Sequence, residues 1–183
     1  VEGVNDILFL QTLTAALHKT HPEITPISSC PDIMVLPMGG SSLQEWVNHN
    51  YLRKLGIPEY HIYDSDCTNA HQQECDSVNQ RADGSSARMT SKREMENYIH
   101  PDAIRAVYGV NFEIDDNTDV PRVISDYLKS QNLPGCNQKN VKRRLNGEAT
   151  QYMTLELLKE CDQQNEILSW ICDIMQLDIS SYI

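Results

Sequence analysis

The sequence predicts an α/β protein: a mainly parallel sheet with flanking helices, followed by a helical C-terminal portion. Three observations carry this prediction. Through about residue 100, amphipathic stretches alternate with short apolar runs in the order helix, strand, helix, strand, helix, strand, as a parallel sheet with crossover helices requires. Acidic residues collect just beyond the apolar runs, where such sheets gather ligands. Past residue 100 the pattern turns to helical periodicity. The chain's 183 residues, 40% of them hydrophobic, suffice for one core with an elaborated end. We divide it into a sheet-bearing core, residues 1–110, and a helical portion, residues 111–183.

The first helix is expected from residue 5, with Asn5 as cap and Ile7, Leu10, Leu13 and Leu17 at helical spacing. "PDIMVLPMGG" reads as a buried strand, Ile33 to Leu36, closed by Pro37 and the Gly39-Gly40 pair. "SLQE" is a capping box of Ser42 with Glu45. It opens a helix whose Leu43, Trp46, Val47 and Tyr51 share a face and which Gly56 ends. "EYHIY" is the second strand, with Asp64 and Asp66 at its C-terminal edge. A short helix over 73–81 precedes a third strand, "ARMT", and the "KREMENY" segment. Residues 111–120 form a joint. Asp119 then caps a helix with Pro121 in its first turn, "QKNVKRRLNG" is a basic helix stopped at Asn146-Gly147, and amphipathic stretches cover 153–161 and 164–176.

No apolar run approaches the ~20 residues of a membrane span, so no membrane partner is expected. The opening lacks both a methionine and the basic region of a signal peptide, which points to a fragment or a processed chain. Six cysteines without a C-x-x-C pair imply reduced thiols and a cytoplasmic setting. Cys67 and His71 are four apart but lack two further zinc ligands. A net charge of −11 argues against non-specific attraction to nucleic acid. It does not argue against a nuclease, because a carboxylate cluster that binds cations is itself acidic and the bound metal reverses the local field.

Magnesium takes hard oxygen ligands, a few carboxylates with water and phosphate completing the shell. Glu2 precedes a glycine, with Asp6 one helical turn on. The D-x-D pair Asp64 and Asp66 follows a strand, and Glu94 and Glu96 follow another. A glutamate, then D-x-D at a strand end, then a further glutamate is an order that resembles the TOPRIM domain of topoisomerases, primases and nucleases. More narrowly, "VEGVNDILFL", "LPMGGSSLQEW", "HIYDSD" and "SKREMENYI" together resemble the OLD (overcoming lysogenisation defect) family of ATP-dependent endonucleases, over residues 1–100.

The resemblance implies a TOPRIM, Rossmann-like fold. It also implies a two-metal hydrolysis of DNA with Mg²⁺ or Mn²⁺, the two ions ~3.5–4 Å apart. On this likeness Glu2 is a metal ligand that assists proton transfer, and Asp6, Asp64, Asp66 and Glu96 are further ligands, with Glu94 the second choice beside Glu96. Gly39 and Gly40 resemble a loop that approaches the metal site. A lysine neutralises the scissile phosphate; Lys139 is the first choice, and Lys142 and Arg143 compete for the role. Tyr63 and Tyr98 are read as packing residues, so no tyrosyl intermediate is expected. The family is an ATPase, yet no G-x-x-x-x-G-K-[ST] occurs here. An ATPase portion absent from this chain, or an ATPase partner, is therefore expected, together with a homo-oligomer in the intact protein and a role in phage defence. Three alternatives are weighed: a TOPRIM nuclease cutting RNA, a degenerate TOPRIM domain serving assembly or sensing, and a phospho-acceptor receiver domain. The last has no use for Glu2 or the "KREMENY" block.

Overall fold

In the computed structural model, which describes residues 1–39, 41–66 and 70–182, the chain is mixed α/β and mostly helical, with a small parallel sheet. Helix α1 (Val4–His18) buries Phe9, Leu10, Leu13 and Leu17. It begins earlier than the Asn5 cap predicts. Gly3 is the cap residue, and the Asp6 carboxylate accepts the Gly3 N–H at 2.7 Å, so an acid of the predicted site also closes the helix start.

The segment 33–36 is not a strand. The chain after it lies beside the chain start, with Met38 N–H donating to the Val1 carbonyl at 2.8 Å and Gly39 N–H to that of Glu2 at 2.7 Å. Pro37 lacks the donor a ladder needs, and Met34, 82% exposed, does not bury as an interior strand would. Helix α2 (Ser41–His49) buries Leu43 and Val47. It starts one residue before the predicted cap Ser42 and stops well short of Gly56, which closes a separate short turn at φ 66°.

Strand β1 (Tyr60–Tyr63), helix α3 (Gln72–Asn79) and strand β2 (Ser86–Met89) follow as predicted. The two strands pair in parallel, Tyr60 opposite Ser86 through Tyr63 opposite Met89. The sheet thus has the predicted direction and, among the described residues, two strands rather than three. Beyond it lie α4 (Pro101–Tyr108), α5 (Val120–Ser130), α6 (Gln138–Gly147), α7 (Leu155–Cys161) and α8 (Glu166–Met175). Asp119 caps α5 as read, accepting the Arg122 N–H at 3.0 Å. Among the described residues, no helix is long and apolar enough to cross a membrane.

β1 divides two cores, because successive strand side chains point to opposite faces. Ile62 joins the large core with Phe9, Tyr98, Ile124, Leu145 and Trp170, which spans both halves of the chain. Tyr63 joins a small one with Leu43, Val47, Cys75 and Val78. On that second side the Tyr63 hydroxyl sits 2.7 Å from His61 Nδ1, and His61 Nε2 sits 2.6 Å from Glu59 Oε2. Arg81 and the Trp46 indole N–H also donate to that carboxylate oxygen, each at 3.2 Å. With Glu59 accepting, His61 donates from Nε2 and accepts the tyrosine hydroxyl at Nδ1. Burial holds His61 below its ordinary pKa. The network locks α2 and α3 onto the strand that leads into Asp64.

Candidate functional site

Two of the predicted acids, Glu2 and Asp64, meet where β1 ends. Glu2, in extended backbone just ahead of α1, accepts the Asp64 N–H on Oε1 at 2.9 Å, joining residues 62 apart in sequence. Gly39 makes this seat possible. A Cβ at Gly39 would strike the carbonyl oxygen of Glu2, so only glycine lets the 36–39 segment run this close. We expect Gly39→Ala to displace Glu2 and lower stability by roughly 1–3 kcal/mol, read by urea unfolding. Gly40 and Cys67 lie outside the described residues. His71, first considered as a zinc partner of Cys67, instead places Nε2 3.6 Å from Glu2 Oε1.

After β1 the chain is pinned to the loop that follows β2. Ser65 N–H donates to Thr90 Oγ1 at 2.8 Å and Asp66 N–H to the Arg93 carbonyl at 3.0 Å. Asp66 is exposed and takes a left-handed conformation, φ 46°, which aspartate tolerates better than most residues. Asp64 turns to the large-core side. Burial, with the charges of Asp6, Glu2, Glu96 and Glu94 added, pushes its pKa up to about 9. Burial likewise raises Glu2 and Asp6, for Glu2 against the pull of the Asp64 amide and of His71, for Asp6 against the Gly3 amide.

Glu94 and Glu96 flank the start of a 3₁₀ turn, Met95–Tyr98. The turn is fixed by Asn97, which accepts the Glu94 N–H at 3.2 Å and donates to the carbonyls of Asp115 and Thr118, each at 2.9 Å. Tyr98 is buried and its hydroxyl donates to Glu166. The E-N-Y string therefore places one acid and two anchoring side chains. Glu96 is 1% exposed, with Oε1 accepting from Asn146 Nδ2 at 2.7 Å. Burial pushes it up to about 7, opposed by Lys142 and reinforced by Glu94. Lys142 Nζ lies 2.7 Å from Glu94 Oε2 and 3.9 Å from Glu96 Oε2. Burial lowers its pKa, but the two glutamates outweigh that and hold the ammonium charged.

Lys142, among the three basic residues weighed, thus reaches the acids. Lys139 and Arg143 are exposed on α6, and among the described residues neither makes an ion pair. The sequence does not point directly to Asn146 or His71 as partners of the acids. Asn146 had a signal: with Val141 and Leu145 turned inward, positions 142 and 146 lie one above the other beside them. His71 had none, since its partner Glu2 is distant in sequence.

The donor chemistry suits a hard divalent cation. Glu94 Oε1 and Glu96 Oε2 are buried and accept no hydrogen bond, and burial, with nearby like charges added, keeps Asp64 from ionising readily alone. The spacing is looser: among the described residues no three His, Cys, Asp or Glu side chains converge closely enough to hold an ion as they stand. Compared with known proteins, the chain matches no family model, no curated protein and no solved structure.

Proposed function

We propose that this chain is a Mg²⁺- or Mn²⁺-dependent endonuclease domain of TOPRIM type, hydrolysing DNA phosphodiester bonds in the manner of the OLD family. The observation that supports it most is Asp64, buried, held beside Glu2 by a backbone hydrogen bond and within the electrostatic reach of Asp6, Glu94 and Glu96. Burying like charges near one another costs stability, and a divalent cation would offset that cost.

In this reading Glu2, Asp6, Asp64 and Asp66 supply oxygen ligands on one side and Glu94 and Glu96 on the other. Bound Mg²⁺ or Mn²⁺ would activate a water and neutralise charge on the scissile phosphate and on the oxygen that leaves it. Glu2 takes a proton from the attacking water, and His71 steadies its carboxylate. Lys142 offers its ammonium to the phosphate as negative charge develops. Tyr63 and Tyr98, with hydroxyls committed to His61 and Glu166, form no covalent link to DNA. ATP dependence, through an ATPase portion or partner, and assembly into a homo-oligomer for phage defence belong to the same proposal. RNA is the alternative substrate, since none of these side chains is committed to reading the sugar.

Plasmid cleavage with Mn²⁺ tests the reading, using the chain alone and together with its ATPase. We expect Asp64→Asn to lose at least about a hundredfold in rate, with Lys139→Ala close to wild type and Lys142→Ala strongly slowed. Undiminished cleavage by Asp64→Asn would refute it. A second reading, a TOPRIM-like module for assembly or sensing, draws on the looseness of the acidic group. It predicts no cleavage under any of these conditions.

A further inference from the structure

Lys142 sits where a cation is wanted. Its ammonium bonds Glu94 Oε2, lies within ion-pair range of Glu96 Oε2, and is the basic side chain that reaches into the group. Even so it leaves the group under-satisfied. Glu96, almost wholly buried, keeps Oε2 without a hydrogen bond, as Glu94 does Oε1, while Asn146 holds only Glu96 Oε1. An ammonium donates three hydrogen bonds from one point and does not gather four carboxylate oxygens as a divalent ion does.

We infer that Lys142 is an internal competitor of the divalent cation: its ammonium takes the ion's place between Glu94 and Glu96 until metal displaces it. The inference rests on the metal-dependent reading above. It gives two consequences. The metal-free acids are kept together by a tethered charge in place of repelling one another. The same exchange that admits metal releases the ammonium, so a cation becomes available to a substrate phosphate only when the site is loaded. The looseness of the acidic group is then a property of the lysine-bound state, in which Glu94 is paired with Lys142.

Isothermal titration of Mn²⁺ without nucleic acid tests this, on wild type, Lys142→Met, Lys142→Gln, Lys142→Arg and Lys139→Met, each first checked for fold by circular dichroism. Removing a unit charge about 4 Å from the ligands should tighten Mn²⁺ binding at least about tenfold in Lys142→Met. Lys142→Gln is the safeguard, because its amide keeps a hydrogen bond to Glu94 and preserves the fold if methionine does not. Lys142→Arg, which keeps the charge, should bind no tighter than wild type. Lys139→Met should match wild type, which separates a local effect from a change in net charge. Tighter binding by the neutral Lys142 variants alone supports the inference. Binding in wild type with equal or weaker binding in both neutral variants overturns it and leaves the metal site standing. If no variant and no wild type binds Mn²⁺, both the inference and the nuclease reading fall.

Discussion

Asp64→Asn is expected to stabilise the metal-free protein at pH 8 by on the order of 2 kcal/mol or more, while destroying the proposed activity. The Asp64 carboxyl is pushed up to about 9 by burial and by the charges of Asp6, Glu2, Glu96 and Glu94. An aspartate whose folded pKa lies above its unfolded value binds its proton more tightly in the folded state. Its contribution is therefore most favourable at low pH and is lost as pH rises from about 4 toward 9. Glu96, raised to about 7, acts in the same direction over the lower part of that window. Urea unfolding at pH 5 and pH 8 in chelator reads the effect. The wild type should lose stability between the two, and Asp64→Asn should lose much less. Equal pH slopes would mean that Asp64 is not crowded as described.

The second large effect is structural. Glu59 accepts hydrogen bonds from Arg81 and Trp46 and is paired with His61, on the side of β1 that carries the small core. Glu59→Ala leaves the Arg81 guanidinium, mostly buried, without its counter-charge. Breaking a buried pair from one side costs roughly 3–5 kcal/mol. In a chain of this size that lowers the melting temperature by about ten degrees. The double variant Glu59→Ala/Arg81→Ala should recover part of the loss, since the stranded charge is gone. A Glu59→Ala melting temperature within a degree or two of wild type would show that the network does not anchor β1.

Much of this architecture is legible in local sequence. Asp119 with Pro121 announces the start of α5, and β1, α3 and β2 fall where apolar runs and polar breaks place them. The failures have physical causes. Ile33 to Leu36 has the composition of a strand, yet the Leu36 carbonyl accepts from the Val1 amine at the chain start, and Pro37 and exposed Met34 keep the segment out of the sheet. Helix α4 went unread although Pro101 at its first turn and Gly109 after its end, φ 74°, are standard start and stop signals; eight residues gave too short a period to register. The acids were found as separate blocks, and the structure brings Glu2 to Asp64 through a single hydrogen bond that no local pattern encodes. Lys139, Lys142 and Arg143 are equivalent as composition, and only the inward turn of Val141 and Leu145 singles out Lys142.

The central claim is that these carboxylates form one metal-binding site. Anomalous diffraction from a crystal of this chain soaked in Mn²⁺ tests it most directly. We expect manganese peaks coordinated by Asp64, with Glu2 or Asp6 on one side and Glu94 or Glu96 on the other, and Lys142 withdrawn from Glu94. Saturating Mn²⁺ that leaves Asp64 without an ion, with Lys142 still seated on Glu94, would contradict it.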